Sequence, residues 1–273
     1  MLRSLLDLTR PGNCVIASVS VALGAVLARN SLVLGDVAMA MGAAACIGAA
    51  GNVLNDILDV EIDRLNRPER PLPNGQVSLP VAVTFGVILA LGGVGLALPL
   101  GRVPLACAAG ICALLILYDL WLKRTPIAGN VVVSMSAAAT LPFGGVVAGA
   151  WHPSVVPALF AFLIHLAREV LKDVEDLDGD RLAGAETLAV RVGRYRALSI
   201  VMYLLFGLVA LTPLPYLFGY YGEAYMRTAC LVAAALIGVI SSLHRNPFRT
   251  NLARMSSTLK GVMVLGILAI YLG

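Results

Sequence analysis

Charge is scarce in this chain: only 13% of its 273 residues are Asp, Glu, Lys or Arg, against about 25% in a typical soluble domain. That shortage, set beside 59% hydrophobic residues, excludes both an ordinary soluble globule and a disordered segment. The five cysteines, Cys14, Cys46, Cys107, Cys112 and Cys230, form no CxxC pair and have no His at ligand spacing. They read as small apolar packing residues and give no disulfide or metal framework. A net charge of +4, dispersed along the chain, argues against a nucleic-acid partner. The first apolar run begins behind Arg10-Pro11 without a signal-peptide cleavage pattern, so it is expected to be a retained span.

What the chain has in abundance is apolar length. Mean hydropathy is +0.87, and runs long enough for a bilayer-spanning helix, about 17–25 residues, recur throughout. Spans are predicted at 12–28, 34–54, 78–100, 103–121, 127–149, 154–171, 197–217, 225–243 and 257–272. Pro and Gly punctuate the joins, as at Pro73-Asn74-Gly75, Pro126 and Pro153. Small residues fill the interiors, from Gly42 to Gly48 and from Gly145 to Gly149, where in lipid they let helices approach closely. The expected fold is an all-α polytopic membrane protein, one domain over 1–273, with nine transmembrane helices.

Nine spans put the N-terminus and the loops after spans two, four, six and eight on one side. Seventeen of the 20 basic residues fall there; Arg29, Arg102 and Arg227 lie opposite. The positive-inside rule makes that side cytoplasmic and the C-terminus external. Acids do not follow this rule, yet all carboxylates except Asp36 and Glu223 share the same side, and most fall after spans two and six.

The first acidic cluster runs Asn52-Val-Leu-Asn55-Asp56-Ile-Leu-Asp59-Val-Glu61-Ile-Asp63-Arg64-Leu-Asn66-Arg67-Pro68-Glu69-Arg70-Pro71. The second runs Arg168-Glu169-Val-Leu-Lys172-Asp173-Val-Glu175-Asp176-Leu-Asp178-Gly179-Asp180-Arg181. Both contain Asp-x-x-Asp-x-x-x-Asp, at 56, 59, 63 and at 173, 176, 180. If each span's helix continues out of the membrane, steps of three and seven keep those carboxylates on one face, and Asn52 extends it by a turn. Glu61, Glu175 and Asp178 fall off that face and are expected to pair with arginines. Like charges so arranged repel unless neutralised. Magnesium suits such hard oxygen ligands and commonly bridges carboxylates to substrate phosphates. Wet loop acids would explain one motif, but not two of identical spacing. That spacing also suggests an internal duplication, about 1–121 and 127–243, plus a ninth helix at 257–272.

At these residues the chain resembles the UbiA superfamily of intramembrane prenyltransferases. The resemblance rests on Asn55-Asp56-x-x-Asp59-x-x-x-Asp63 and Asp173-x-x-Asp176-x-x-x-Asp180, with Arg10-Pro11-x-Asn13, Arg70-Pro71, and Tyr118 to Lys123-Arg124 in support. It implies nine helices around a central cavity, capped by the helical cytoplasmic loops. It also implies magnesium-dependent ionisation of an isoprenyl diphosphate, with capture of the allylic cation by a lipophilic acceptor. Asp56, Asp59 and Asp63 would form one magnesium set and Asp173, Asp176 and Asp180 the second, with manganese as a substitute. Asn52 and Asn55 would serve as neutral ligands or phosphate donors. Arg70 and Lys123 are the first choices for a diphosphate clamp; Arg64, Arg67, Lys172 and Arg181 follow. Asn13 either reaches the cavity or makes an interhelical hydrogen bond, and Tyr118 either lines the site or sits in the interfacial belt. His165 reads as a packing residue.

The stretches Thr9-Arg10-Pro11-x-Asn13, Asp59 to Pro73 and Lys172 to Asp180 are most similar to the archaeal ether-lipid branch of that family. This implies transfer of a geranylgeranyl group to geranylgeranylglyceryl phosphate, with Arg64, Arg67 and Arg181 taking the acceptor phosphate. The alternative acceptor is an aromatic quinone precursor such as 4-hydroxybenzoate. A cation transporter, the reading from another class, would place its ionisable groups near the bilayer midplane, where these spans carry almost none.

Overall fold

The computed structural model describes residues 1–28, 33–123 and 125–273, without the side chains of residues 65 and 66. Arg29 and Arg124, used in the sequence reading, lie outside the described residues, as does the Asn66 side chain. Every regular element described is helical: α1 (Leu2–Thr9), α2 (Pro11–Leu27), α3 (Leu34–Leu58), α4 (Val60–Asn66), α5 (Leu79–Ala97), α6 (Arg102–Leu117), α7 (Ala128–Ala138), α8 (Thr140–Val147), α9 (Val155–Glu175), α10 (Leu177–Leu182), α11 (Leu188–Val192), α12 (Arg194–Leu211), α13 (Leu214–Leu217), α14 (Glu223–Arg245) and α15 (Arg249–Leu272).

Among the described residues, eight segments are long and apolar enough to cross a membrane, and the bent pair α1–α2 makes a ninth when counted as one span. The eight match the predicted spans to within four residues at each end, except that the last begins at Arg249, eight residues before the predicted start at 257. The 17 residues of α2 reach only about 25 Å, short of the roughly 30 Å hydrocarbon layer. The run before it, which the sequence reading left outside the spans, forms α1 at 53° to α2. Residues such as Ile88, Leu91 and Val103 are exposed, an outward apolar surface suited to lipid.

By their contacts the residues divide into two units, 1–124 with 135–158, and 125–134 with 159–273. In the first, α3 packs against α1, α2, α5, α6 and α8. A small core of Leu8, Val53, Leu72, Val77 and Ala82 ties α1 and the loop after α4 to α3 and α5. The second unit has a larger core, in which Leu171, Val174, Val201, Leu205, Leu236 and Leu259 are fully buried.

Helices α2 and α8 meet backbone to backbone. A Cβ on Gly24 would lie 1.9 Å from the Leu141 carbonyl oxygen, and one on Gly144 1.9 Å from that of Val21. Gly24→Ala should therefore lower stability in detergent by about 1–3 kcal/mol, the usual cost of overpacking. Gly92→Ala, where a Cβ meets nothing within 4 Å, should not. Thermal unfolding of the two variants checks this, and equal midpoints would contradict it.

Candidate active site

The first motif does not ride on one continuous helix, as the sequence reading expected. Helix α3 ends at Leu58, Asp59 leaves helical geometry at φ −97°, ψ 5°, and α4 starts at Val60. The second motif breaks at its matching residue: α9 ends at Glu175, and Asp176 has φ −95°, ψ 5° before α10. Backbone hydrogen bonds reach each break from both sides and meet at its aspartate: Asp59 N–H donates to Asn55 O at 3.0 Å and Asp63 N–H to Asp59 O at 2.7 Å, while Asp176 N–H donates to Lys172 O at 2.9 Å and Asp180 N–H to Asp176 O at 3.0 Å. Each bend is thus confined to a single aspartate, where one helix ends and the next begins.

Around the first motif, three cations neutralise the carboxylates. Arg70 Nη1 donates to Asp56 Oδ1 at 3.1 Å and to Asp63 Oδ2 at 2.5 Å, so these two acids share one side. Lys123 pairs with Asp59. Arg10 pairs with Asp56 and donates to Asn52 Oδ1 at 3.4 Å and Asn55 Oδ1 at 3.2 Å. Asp56 and Asp63 are buried, at 3% and 5% exposure. Burial pushes the Asp63 carboxyl above its ordinary range, against the Arg70 guanidinium, which holds it down.

Arg10 pairs with Asp56 at a conformational cost. It is the one non-glycine with positive φ among the described residues, at φ 52° and ψ 66°. Left-handed backbone costs a non-glycine residue roughly 1–3 kcal/mol and persists only where the surroundings fix it. Pro11 disfavours the right-handed helical region for the residue before it. The polar contacts of the guanidinium, together with Asn52 Nδ2 donating to Thr9 O at 2.9 Å, complete the restraint.

Lys123 arrives from a turn of π-helix over Tyr118–Leu122, closed by a bond from Lys123 N–H to Tyr118 O at 2.8 Å. Such turns recur at functional sites. The same turn carries Asp119, buried at 8% exposure, which accepts a hydrogen bond from Asn55 Nδ2 at 3.1 Å.

The second motif has its own partners. Asn130 Nδ2 donates to Asp173 Oδ2 at 2.8 Å, and the Thr187 hydroxyl donates to Asp180 Oδ2 at 3.2 Å. Thr187 lies seven residues beyond Asp180, as Arg70 lies seven beyond Asp63. Lys172, proposed for phosphate, donates to Glu169 Oε2 at 2.7 Å, and Arg168 reaches the other oxygen of Glu169 at 3.3 Å. Two of the three off-face acids meet arginines as expected: Glu61 pairs with Arg64 at 2.8 Å and Asp178 lies 3.8 Å from Arg194.

The structure thus gathers Asn52, Asn55, Asp56, Asp59, Asp63, Arg70 and Lys123 in one place and Asp173 and Asp180 among other partners. Arg64 and Arg181 are exposed, Arg67 and Tyr118 half-buried; Asn13, also half-buried, begins α2 two residues from Pro11. The sequence reading missed four participants: Arg10 as a site residue, Asp119, Asn130 and Thr187. Among the described residues no three of Asp, Glu, His and Cys close into a metal cage. The donor set still suits a hard divalent cation. Asn55 Oδ1 and Asp56 Oδ1 converge on one nitrogen of Arg10, and such ions commonly complete one or two carboxylates with water and substrate phosphate.

Comparison with known proteins adds four findings. The sequence pattern of the UbiA prenyltransferase family matches residues 17–261. The digeranylgeranylglyceryl phosphate synthase of Methanopyrus kandleri is 40% identical over 268 residues, 98% of this chain and 98% of that protein. A solved structure concerned with digeranylgeranylglyceryl phosphate synthase in membranes is 31% identical, with TM-score 0.75, covering 100% of this chain and 98% of that one. The fold is also that of a UbiA homologue from Archaeoglobus fulgidus bound to GPP and Mg2+, at 18% identity and TM-score 0.72, with 98% and 99% of the two chains covered.

Proposed function

The chain belongs to the UbiA prenyltransferase family, and from that premise we propose that it transfers a geranylgeranyl group from its diphosphate to geranylgeranylglyceryl phosphate. The observation that carries this acceptor is 40% identity to a digeranylgeranylglyceryl phosphate synthase across 98% of both chains. The donor's C1–O bond breaks and its electron pair leaves with the diphosphate. The acceptor's free hydroxyl oxygen then bonds to C1 and gives up its proton, making an ether.

Two magnesium ions, replaceable by manganese, would be held by Asp56, Asp59 and Asp63 and by Asp173, Asp176 and Asp180, and would supply positive charge for the departing diphosphate. Arg10, Arg70 and Lys123 already stand against the first carboxylate set, where they can donate charge-assisted hydrogen bonds to phosphate oxygens. Asn52 and Asn55 add neutral donors and acceptors. Tyr118 and Asn13 are assigned to substrate binding, and Lys172, held by Glu169, to the second set. The apolar helices keep water from the cationic carbon. Arg64, Arg67 and Arg181 take the acceptor's phosphate monoester, which would be costly to bury unpaired. The matched bends at Asp59 and Asp176 support reading the motifs as copies from an internal duplication.

The protein is a multi-pass membrane protein. The basic residues support a cytoplasmic N-terminus and cytoplasmic acidic loops. Replacing Arg64, Arg67 or Arg181 by Gln should raise KM for geranylgeranylglyceryl phosphate much more than KM for geranylgeranyl diphosphate. Equal rises for both substrates in all three variants would overturn the acceptor assignment.

A further inference from the structure

Asp119 belongs to neither acidic motif, and the transfer chemistry gives it no role. It is nonetheless buried at 8% exposure, just beyond the apolar C-terminal half of α6, and its hydrogen-bond partner is the amide of Asn55. Burying a carboxylate is costly without a purpose that repays it.

The geometry points to Asp119 as a positioning residue that sets the orientation of the Asn55 amide. A side-chain amide can turn over, exchanging its oxygen for its nitrogen at little cost in shape. Asn55 is denied that freedom from both ends. An ionised carboxylate only accepts hydrogen bonds, so Asp119 requires the NH2 group, which reaches it at 3.1 Å. A guanidinium only donates, so Arg10 requires the oxygen, at 3.2 Å. With the amide fixed, Asn55 Oδ1 stands beside Asp56 Oδ1, since one nitrogen of Arg10 contacts both. Turned over, Asn55 would present two N–H groups to any cation there and repel it.

Lys123, four residues on, holds Asp59 from the same π-helical turn. That turn therefore buttresses the first motif at two points, one charged and one through an amide. Supporting hydrogen bonds of this kind commonly alter metal affinity or activity by about 10–100-fold when removed.

This inference rests on the reading of Asn55 as part of the diphosphate and magnesium site. Its test is a double-mutant comparison in the full-length protein, reading the magnesium concentration for half-maximal turnover and KM for geranylgeranyl diphosphate. Asp119→Leu should raise both by about tenfold or more. Asp119→Asn, which keeps an oxygen acceptor for the Asn55 amide, should raise them much less. In an Asn55→Ala background the Asp119→Leu change should add little, because the group it orients is gone. Should Asp119→Leu not fold, Asp119→Ser serves in both backgrounds. Equal effects with and without Asn55, equal losses for Leu and Asn at position 119, or no shift at all would each overturn the inference. Failure of the wild-type protein to turn over geranylgeranyl diphosphate with magnesium would instead overturn the functional reading beneath it.

Discussion

Asp56→Asn is expected to lower turnover on the order of a hundredfold or more, and Asp173→Asn to do the same, because each removes charge from the group that stabilises the departing diphosphate. The substitution conserves volume and keeps one accepting oxygen. Asp56 would still accept from Arg70, and Asp173 would still meet the amide of Asn130. Loss of folded protein is therefore not the expected cause. Asp178 provides the internal control: it lies in the same acidic run, but its side chain is 84% exposed and faces Arg194 at 3.8 Å. Asp178→Asn should change turnover little. Steady-state kinetics of the three variants decides it, and equal losses would mean that bulk negative charge matters and not its placement.

Removal of magnesium by a chelator is expected to abolish turnover while leaving the thermal midpoint nearly unchanged. The stability half of that expectation comes from the ion pairs. Arg10 and Arg70 flank Asp56, Arg70 also holds Asp63, and Lys123 holds Asp59, so the acids of this motif have cationic partners supplied by the chain. The apolar cores around α3 and around α14 and α15 contain no candidate metal ligand. Readdition of magnesium or manganese should restore activity. Turnover that survives excess chelator would contradict the metal assignment; a large drop in midpoint would show that the fold itself depends on the ion.

The spans were legible because their signal is local and repeated. Twenty apolar residues bounded by Pro, Gly or charge say nearly the same thing wherever they occur. The acidic motifs were legible for the same reason, as fixed spacing within a few turns. The partners were not. Asn55 meets Asp119 and Asp59 meets Lys123 across 64 residues, and Asn130 meets Asp173 across 43. No local periodicity encodes such pairs. Asp119 did leave a trace, as a lone carboxylate closing an apolar run, and Arg10 left another, as a charged residue directly before Pro11.

The bends at Asp59 and Asp176 were misread for a different reason. Spacing of three and seven fits a straight helix, and it fits equally well two helices that meet at the middle aspartate. Nothing in Asp-x-x-Asp distinguishes the two. The left-handed backbone of Arg10 was half legible: Pro11 disfavours the right-handed helical region before it, but the side-chain contacts that complete the restraint form only in the folded protein.

The measurement that tests the central claim most directly is the identity of the product from a single mixture. Purified protein in lipid is given geranylgeranyl diphosphate, magnesium and equal amounts of geranylgeranylglyceryl phosphate and 4-hydroxybenzoate, and the prenylated lipid is identified by mass spectrometry. The predicted result is digeranylgeranylglyceryl phosphate as the dominant product, with release of one diphosphate per ether formed. Prenylated 4-hydroxybenzoate with no ether lipid would contradict the acceptor, and ion flux into the vesicles without diphosphate release would contradict the transferase itself.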